Sequence, residues 1–246
     1  MATVEEITDP YVAAFTPPPA AGTGVCDICH NAPSQGFKRC WSCAQTTATV
    51  THPVELVVPI SFYRLGAQLY TVLSSYKRSP DAAVRAQLAT IVAATLSRFV
   101  AAHGDHIRET AGDDWDILTI VPSKDTGDGP HALATAIGLS GRLRKRFEPL
   151  LEPLEPETIS RANASDSGYR AARDLHGERV LLVDDTFTSG ATLQSAASAL
   201  ALGGAKVIAG LVIGRVIHPG FSPEMGELWA KQSALPFDFD VCCLEA

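Results

Sequence analysis

The chain has 246 residues, of which 46% are hydrophobic, and a formal net charge of −7 at pH 7. This length is enough for one large core and a small additional module, and no segment approaches the roughly 18–20 uninterrupted apolar residues of a membrane span. The acidic balance argues against nucleic acid as a partner, and we interpret the basic cluster at 142–146 as a solvated helix end. Residues 1–10 lack the basic and apolar parts of a secretory signal, so we expect a cytoplasmic protein with no membrane contact.

The N-terminal part of the chain is rich in proline, glycine and cysteine. Prolines and glycines disfavour regular structure, so we predict a flexible segment over residues 1–24. Two Cys-x-x-Cys pairs follow, separated by ten residues, and predict a structural Zn²⁺ site with four thiolate ligands in a module spanning residues 25–50. The predicted ligands are Cys26, Cys29, Cys40 and Cys43. Cys242 and Cys243 are adjacent, and we interpret them as packed or free thiols.

Residues 51–246 have the pattern of strands that alternate with helices. Continuous apolar runs predict buried strands at 54–60, 117–121, 180–183 and 206–213. Helical spacing and capping residues predict helices at 63–76, from Ser79 and Pro80 onward, at 131–146 and at 191–202. Prolines predict an irregular loop over 148–178. We therefore predict an α/β fold in which a mainly parallel sheet is flanked by helices.

One segment, 180–192, combines the features of a sugar-phosphate site. Asp184 and Asp185 follow the apolar run VLLV, at the end of a strand where open α/β sheets bind ligands. Hydroxyl side chains and Gly190 then lead into a helix, whose N-terminal amides favour a phosphate. Two acids would repel that phosphate, so we expect them to accept hydrogen bonds from vicinal ribose hydroxyls. The alternative is a capped helix start in which the acids are ordinary turn residues.

This segment resembles the signature with which type I phosphoribosyltransferases bind 5-phosphoribosyl-1-pyrophosphate (PRPP): an apolar strand, two acids and Thr-x-Thr-Ser-Gly-x-Thr. The resemblance implies that Asp184 and Asp185 are catalytic residues that bind the ribose hydroxyls, and that the turn binds the 5′-phosphate. The turn residues are Thr186, Thr188, Ser189, Gly190, Ala191 and Thr192. The resemblance also implies Mg²⁺ as the ion that accompanies PRPP.

The same resemblance implies a second loop that holds the pyrophosphate, and by position it follows the predicted strand 117–121. Ser123 and Lys124 would bind pyrophosphate there, with Lys124 as a catalytic residue that neutralises the leaving group; the alternative is an ordinary strand-to-helix turn. The tract 160–174 is predicted to close over the site as a lid, although a plain surface loop would have a similar composition. Its phosphate-binding or stacking groups are Arg161, Tyr169, Arg170 and Arg173.

A four-cysteine knuckle before a phosphoribosyltransferase domain resembles the ComF-like family, which is associated with competence, and the stretch from Tyr63 to Tyr76 and Lys77 is also similar to it. At 121–127 the sequence departs from that family's Arg-Gly-Phe-Asn-Gln type segment, so the acceptor is not indicated. The first hypothesis is an enzyme that transfers the phosphoribosyl group of PRPP to a small nitrogen nucleophile and releases pyrophosphate. The second is a non-catalytic PRPP-binding regulator, and the third is a competence-associated factor that acts through the knuckle. The sequence leaves open whether the protein forms a homodimer.

Overall fold

A four-stranded parallel sheet forms the centre of the molecule. The computed structural model describes residues 2–123 and 130–245. Its strands are β1 (Val57–Tyr63), β2 (Ile117–Ile120), β3 (Leu151–Pro153), β4 (Tyr169–Ala171), β5 (Arg179–Phe187) and β6 (Lys206–Val216). The main sheet has the order β1-β6-β5-β2 with every neighbouring pair parallel, while β3 and β4 form a separate antiparallel pair. The prediction of a mainly parallel sheet is confirmed.

Helices cover both faces of this sheet. Those of the described residues are α1 (Val4–Thr8), α2 (Trp41–Ala48), α3 (Gln68–Arg78), α4 (Ala82–Ala111), α5 (Ala132–Leu139), α6 (Gly141–Arg144), α7 (Ala191–Leu202) and α8 (Pro223–Ser233), with short 3₁₀ turns at Asp9–Ala14 and Pro156–Thr158. Side chains alternate between the two faces along a strand. Leu181 and Val183 accordingly pack in a core with α3, α4 and α5, while Val180 and Leu182 pack in a second core with α7 and the cysteines.

The long helix α4 is the main element of the first core. Among the described residues, α4 is the one helix that is long and apolar enough to cross a membrane, judged by length and composition alone. Half of its most apolar 18-residue stretch is buried inside the fold. It contacts α1, α3 and α5. Its apolar side chains are thus accounted for by packing within the protein.

Several predicted boundaries differ from the structure. The first helix predicted after residue 62 begins at Gln68 instead, because β1 continues to Tyr63 and pairs there with Val216 of β6. The N-cap of α4 is Asp81, whose carboxylate accepts hydrogen bonds from the backbone amides of Ala83 and Val84 at 2.8 and 3.4 Å, so Ser79 was the wrong cap. The helix predicted over 131–146 is divided into α5 and α6 at Ser140.

Two segments predicted to be irregular contain regular structure. The N-terminal segment, predicted to be flexible, has a capping box at Thr3 that starts α1, and Phe15 is buried with its ring stacked on Phe237 at 4.9 Å. Thr16 forms a bridge to Phe62 at the edge of β1. The loop predicted over 148–178 contains the β3–β4 pair. In both segments long-range packing supplies order that local composition does not indicate.

Candidate functional site

The two acids of the sugar-phosphate segment lie within β5, which is longer than predicted. Asp184 pairs with Val212 of β6, so the strand continues past the acids on that side. On the other side β2 ends at Ile120, which pairs with Val183. The acids therefore lie at an edge that is open next to β2, where the carboxyl ends of parallel strands form ligand sites.

Asp185 is buried, with 2% of its surface exposed, and is held by α3. The hydroxyl of Tyr76 donates a hydrogen bond to Asp185 Oδ2, and Lys77 Nζ forms an ion pair with the same oxygen. Burial is the largest cause that raises the pKa of Tyr76, followed by the charge of Asp185, so the phenol stays protonated as a donor. Asp185 is thus part of a buried network, whereas the sequence predicts two acids that both face the ligand.

Asp184 is partly exposed at the same edge. Its Oδ1 accepts a hydrogen bond from the backbone amide of Asp185 at 2.8 Å. Burial raises the pKa of the Asp184 carboxyl, the negative charge of Asp185 raises it further, and Lys77 opposes the shift. The free protein disfavours the ionised form of this carboxyl, and a ligand that donates hydrogen bonds to it would stabilise that form.

The turn between β5 and α7 requires glycine. Gly190 has a φ of 88°, in the left-handed region, and an added Cβ would lie 2.4 Å from the ring of Phe187. Gly190 is the N-cap residue of α7 and offers no side-chain cap, while Ser189 Oγ accepts a long, 3.4 Å hydrogen bond from the amide of Ala191. The hydroxyls thus contribute little of the capping that the alternative interpretation requires, and the helix N-terminus faces a tight turn suited to an anion.

A cavity of about 780 Å³ adjoins this turn. Thr188 and Ser189 line it on one side, and Trp41 lines it on the side of the cysteine module. Three arginines also contribute to its wall: Arg64, Arg161 and Arg215. The rest of the lining is largely apolar and includes Ile217 and Phe221, so the hydroxyls and guanidinium groups are the part of the wall that suits a phosphate.

Arg215 connects the turn to the cysteines. It is buried, its guanidinium lies 5.0 Å from the centre of the Phe187 ring, and Nη1 donates a hydrogen bond to the carbonyl of Thr188 at 2.8 Å. Burial disfavours its charged form, but the neighbouring thiols, that of Cys29 first, raise the pKa of Arg215 above its usual value. A buried cation next to a group of cysteines is the charge partner that a metal-bound set of thiolates needs.

The four cysteines of the predicted zinc module converge, as expected. All four are buried, and their sulfurs lie within 4.8 Å of one another. The Sγ atoms of Cys29 and Cys40 are 3.7 Å apart, close to the separation of about 3.8 Å that Zn–S bonds of about 2.3 Å give at a tetrahedral angle. The neighbouring His30 is not one of the ligands, since its Nδ1 forms a hydrogen bond of 2.9 Å with the carbonyl oxygen of Pro19. The cluster is suited to hold a metal such as zinc.

The predicted pyrophosphate loop and lid have mixed outcomes. Lys124 lies outside the described residues; Ser123 follows β2, which is the neighbour of β5 as expected. Arg170 forms an ion pair with Glu152, and Arg173 forms ion pairs with two other glutamates; these pairs are solvent-accessible and weak, so the closing lid stays a prediction. Tyr169 is buried, and its hydroxyl donates to the carbonyl of Pro122 at 3.2 Å. Of the four predicted lid groups, Arg161 lines the cavity.

Sequence reasoning missed several residues of the site. The sequence indicates Tyr76 and Lys77 only through a resemblance. An aromatic residue next to a cation at the end of a helix is the signal that could have identified them as site residues. His131, the N-cap of α5, has its pKa lowered by burial and then by the charge of Lys77, which places it beside the same network. Arg215 could have been found as a lone charge within an apolar strand run.

Comparison with known proteins agrees with this geometry. Residues 134–220 match the family model described as phosphoribosyl transferase domain. The matched region begins within α5 and includes β5, the turn and α7, together with β6. No curated protein and no solved structure is significantly similar to the chain. This part of the chain is thus similar to phosphoribosyl transferase domains.

Proposed function

We propose that the chain binds PRPP with Mg²⁺ and transfers the phosphoribosyl group to a nitrogen nucleophile with release of pyrophosphate. One observation carries the proposal: the partly exposed Asp184 lies at the open edge of β5, and this strand leads into the turn whose Thr188 and Ser189 line the cavity. A sugar phosphate with free hydroxyls complements both halves of this arrangement. The match of 134–220 to the phosphoribosyl transferase domain supports the same conclusion.

Each part of PRPP has a set of residues suited to it. Asp184 would accept hydrogen bonds from the ribose hydroxyls, and Asp185 would reach them only in competition with its bonds to α3. The 5′-phosphate would be bound by Thr186 near the end of β5, by the turn residues Thr188, Ser189 and Gly190, and by Ala191 and Thr192 with the amides at the start of α7. Lys77 forms an ion pair with Asp185, and it would join Ser123 and Lys124 in binding pyrophosphate.

The reaction is a displacement at C1 of the ribose. The lone pair of the acceptor nitrogen forms the new C–N bond, the C1–O bond breaks, and its electron pair leaves with pyrophosphate, while the nitrogen gives up a proton to water or a base. Positive charge develops on the ribose, and the Asp184 carboxylate is positioned to stabilise it. Mg²⁺, whose preferred ligands are oxygens such as those of Asp184, would neutralise the pyrophosphate when bound.

The cysteine module has a structural role in this proposal. Four thiolates leave no open position on Zn²⁺ for a substrate. Arg215 would compensate part of the negative charge of the thiolate cluster and at the same time hold the Thr188 carbonyl. The zinc site would therefore help to fix the turn that binds the 5′-phosphate.

The test is turnover. Purified protein is incubated with Mg²⁺ and PRPP together with a panel of nucleobases and amines, and pyrophosphate release is measured. We expect release with at least one acceptor, loss of release in Asp184→Asn, and wild-type release in the control Asp105→Asn, which changes an exposed acid of α4 outside the site. Equal release by Asp184→Asn and wild type would refute the assignment of Asp184.

A second candidate function is PRPP binding without transfer, as in a regulator or a competence-associated ComF-like protein. The observation that favours it is that Arg170 and Arg173 form ion pairs with glutamates in the free protein, so a closing lid would have to exchange these pairs for contacts with pyrophosphate. PRPP binding by calorimetry with no pyrophosphate release for any acceptor would support this candidate over the enzyme.

A further inference from the structure

A second group of metal-binding side chains lies on the other side of the sheet from the four cysteines. His103 and His106 are on the last turns of α4, and Cys242 and Glu245 are in the C-terminal segment. The four ligand atoms lie within 4.8 Å of one another. Cys242 packs in the core that contains α4, whereas the four-cysteine cluster packs in the core that contains α7. The two clusters are therefore independent.

The distances within this group are those of ligands around one ion. Bond lengths of about 2.0–2.1 Å to nitrogen and about 2.3 Å to sulfur, at a tetrahedral angle, separate two nitrogens by about 3.3 Å and a nitrogen from a sulfur by about 3.6 Å. Nδ1 of His106 lies 3.2 Å from Nδ1 of His103 and 3.2 Å from Oε1 of Glu245. It lies 3.7 Å from Sγ of Cys242.

Few protons are available for hydrogen bonds among these four atoms. His103 Nε2 is 2.7 Å from the carbonyl oxygen of Phe239; it must donate there, so the neutral ring turns the lone pair of Nδ1 towards the cluster. His106 Nδ1 faces three partners and has at most one proton to share among them. A cation at the centre would interact favourably with all of them.

The surroundings orient the side chains as ligands. The Phe239 carbonyl sets the His103 tautomer, which is the usual arrangement for a metal-bound histidine. The backbone amide of Cys242 donates to Glu245 Oε2 at 2.6 Å, which leaves Oε1 directed at His106. Two imidazoles, one thiolate and one carboxylate form a donor set of the kind that Zn²⁺ accepts.

We propose that His103, His106, Cys242 and Glu245 bind a second Zn²⁺ ion. With four protein ligands the site is closed and structural. It ties the C-terminal segment to α4, across a large separation in sequence, and so fixes the segment that carries Phe237 and Phe239 against Phe15. The thiol of Cys243 faces elsewhere, towards the carbonyl of Pro59.

The experiment measures zinc per chain in the purified full-length protein by elemental analysis after dialysis against zinc-free buffer. We expect two zinc ions per wild-type chain and one in Cys242→Ser. Cys243→Ser is the matched control, because it changes the neighbouring buried thiol outside the cluster, and it should keep two. His106→Ala, which changes a partly exposed side chain, should also lower the content to one and serves if the serine variant does not fold.

X-ray absorption at the zinc edge of the wild type gives a readout that needs no variant. A second site of this composition adds nitrogen and oxygen ligands to the signal of the four cysteines, whereas the four-cysteine site alone gives only sulfur. One zinc per wild-type chain with only sulfur ligands would show a hydrogen-bonded cluster and overturn the proposal. Two zinc ions retained in both Cys242→Ser and His106→Ala would overturn it as well.

Discussion

The two adjacent acids of β5 should respond differently to the same substitution. In Asp184→Asn, two charge-assisted hydrogen bonds to ribose hydroxyls weaken, and at about 1.5–3 kcal/mol for each such bond we expect a loss of roughly a hundredfold in PRPP affinity. Stability should not fall, because burial and the charge of Asp185 already disfavour the ionised carboxylate that the neutral amide replaces. In Asp185→Asn the ion pair with Lys77 is lost, while the amide oxygen can still accept from Tyr76.

The cost of Asp185→Asn follows from the burial of the two partners. Breaking a fully buried pair costs about 3–5 kcal/mol, but the Lys77 side chain is 35% exposed and water can solvate it again. A cost of about 2 kcal/mol corresponds to a melting temperature lower by about 4–8 °C for a chain of this size.

Scanning calorimetry of both variants, and titration with Mg²⁺ and PRPP, separate the two effects. Asp105→Asn, which changes an exposed acid of α4 outside the site, is the control for a lost charge. Equal destabilisation by the two substitutions would refute the buried network around Asp185. Wild-type PRPP affinity in Asp184→Asn would refute the ribose site.

Four further predictions concern the same site. Burial and the charge of Asp185 raise the pKa of Asp184, so PRPP affinity should increase as the pH rises above the ordinary carboxyl range. Titrations with PRPP at several pH values measure this increase. The increase should be weaker in Asp184→Asn, where only the ligand's own titration contributes. By the same shift, Asp184 stabilises the fold below its unfolded pKa and loses that contribution as the pH rises through its folded pKa, which denaturant titrations across pH would show. Gly190→Ala should cost about 1–3 kcal/mol and weaken PRPP binding, because the left-handed φ and the contact with Phe187 oppose a Cβ; unchanged denaturation and binding would contradict this. Arg215→Lys keeps the positive charge but loses the several N–H donors of the guanidinium group, so PRPP affinity should fall roughly tenfold with zinc content unchanged. Wild-type affinity in this variant would show that Arg215 does not act on the turn.

The sequence alone was sufficient where the information is local. The bounds of α7 were predicted to the residue, because Gly190 and the glycines after Leu202 mark its ends. The four cysteines also came together as predicted, since each Cys-x-x-Cys pair brings two sulfurs together within one turn. The fold class followed from apolar runs that alternate with helical spacing.

Only the tertiary structure decided what surrounds these elements. β5 continues past Asp184, and because consecutive side chains on a strand point to opposite faces, one acid is partly exposed while Asp185 is buried against Tyr76, 109 residues away in sequence. Arg215 lies beside the cysteines, and His106 meets Cys242, through packing of distant segments. Such contacts depend on how helices and strands dock on one another, and no local pattern of residues encodes that docking.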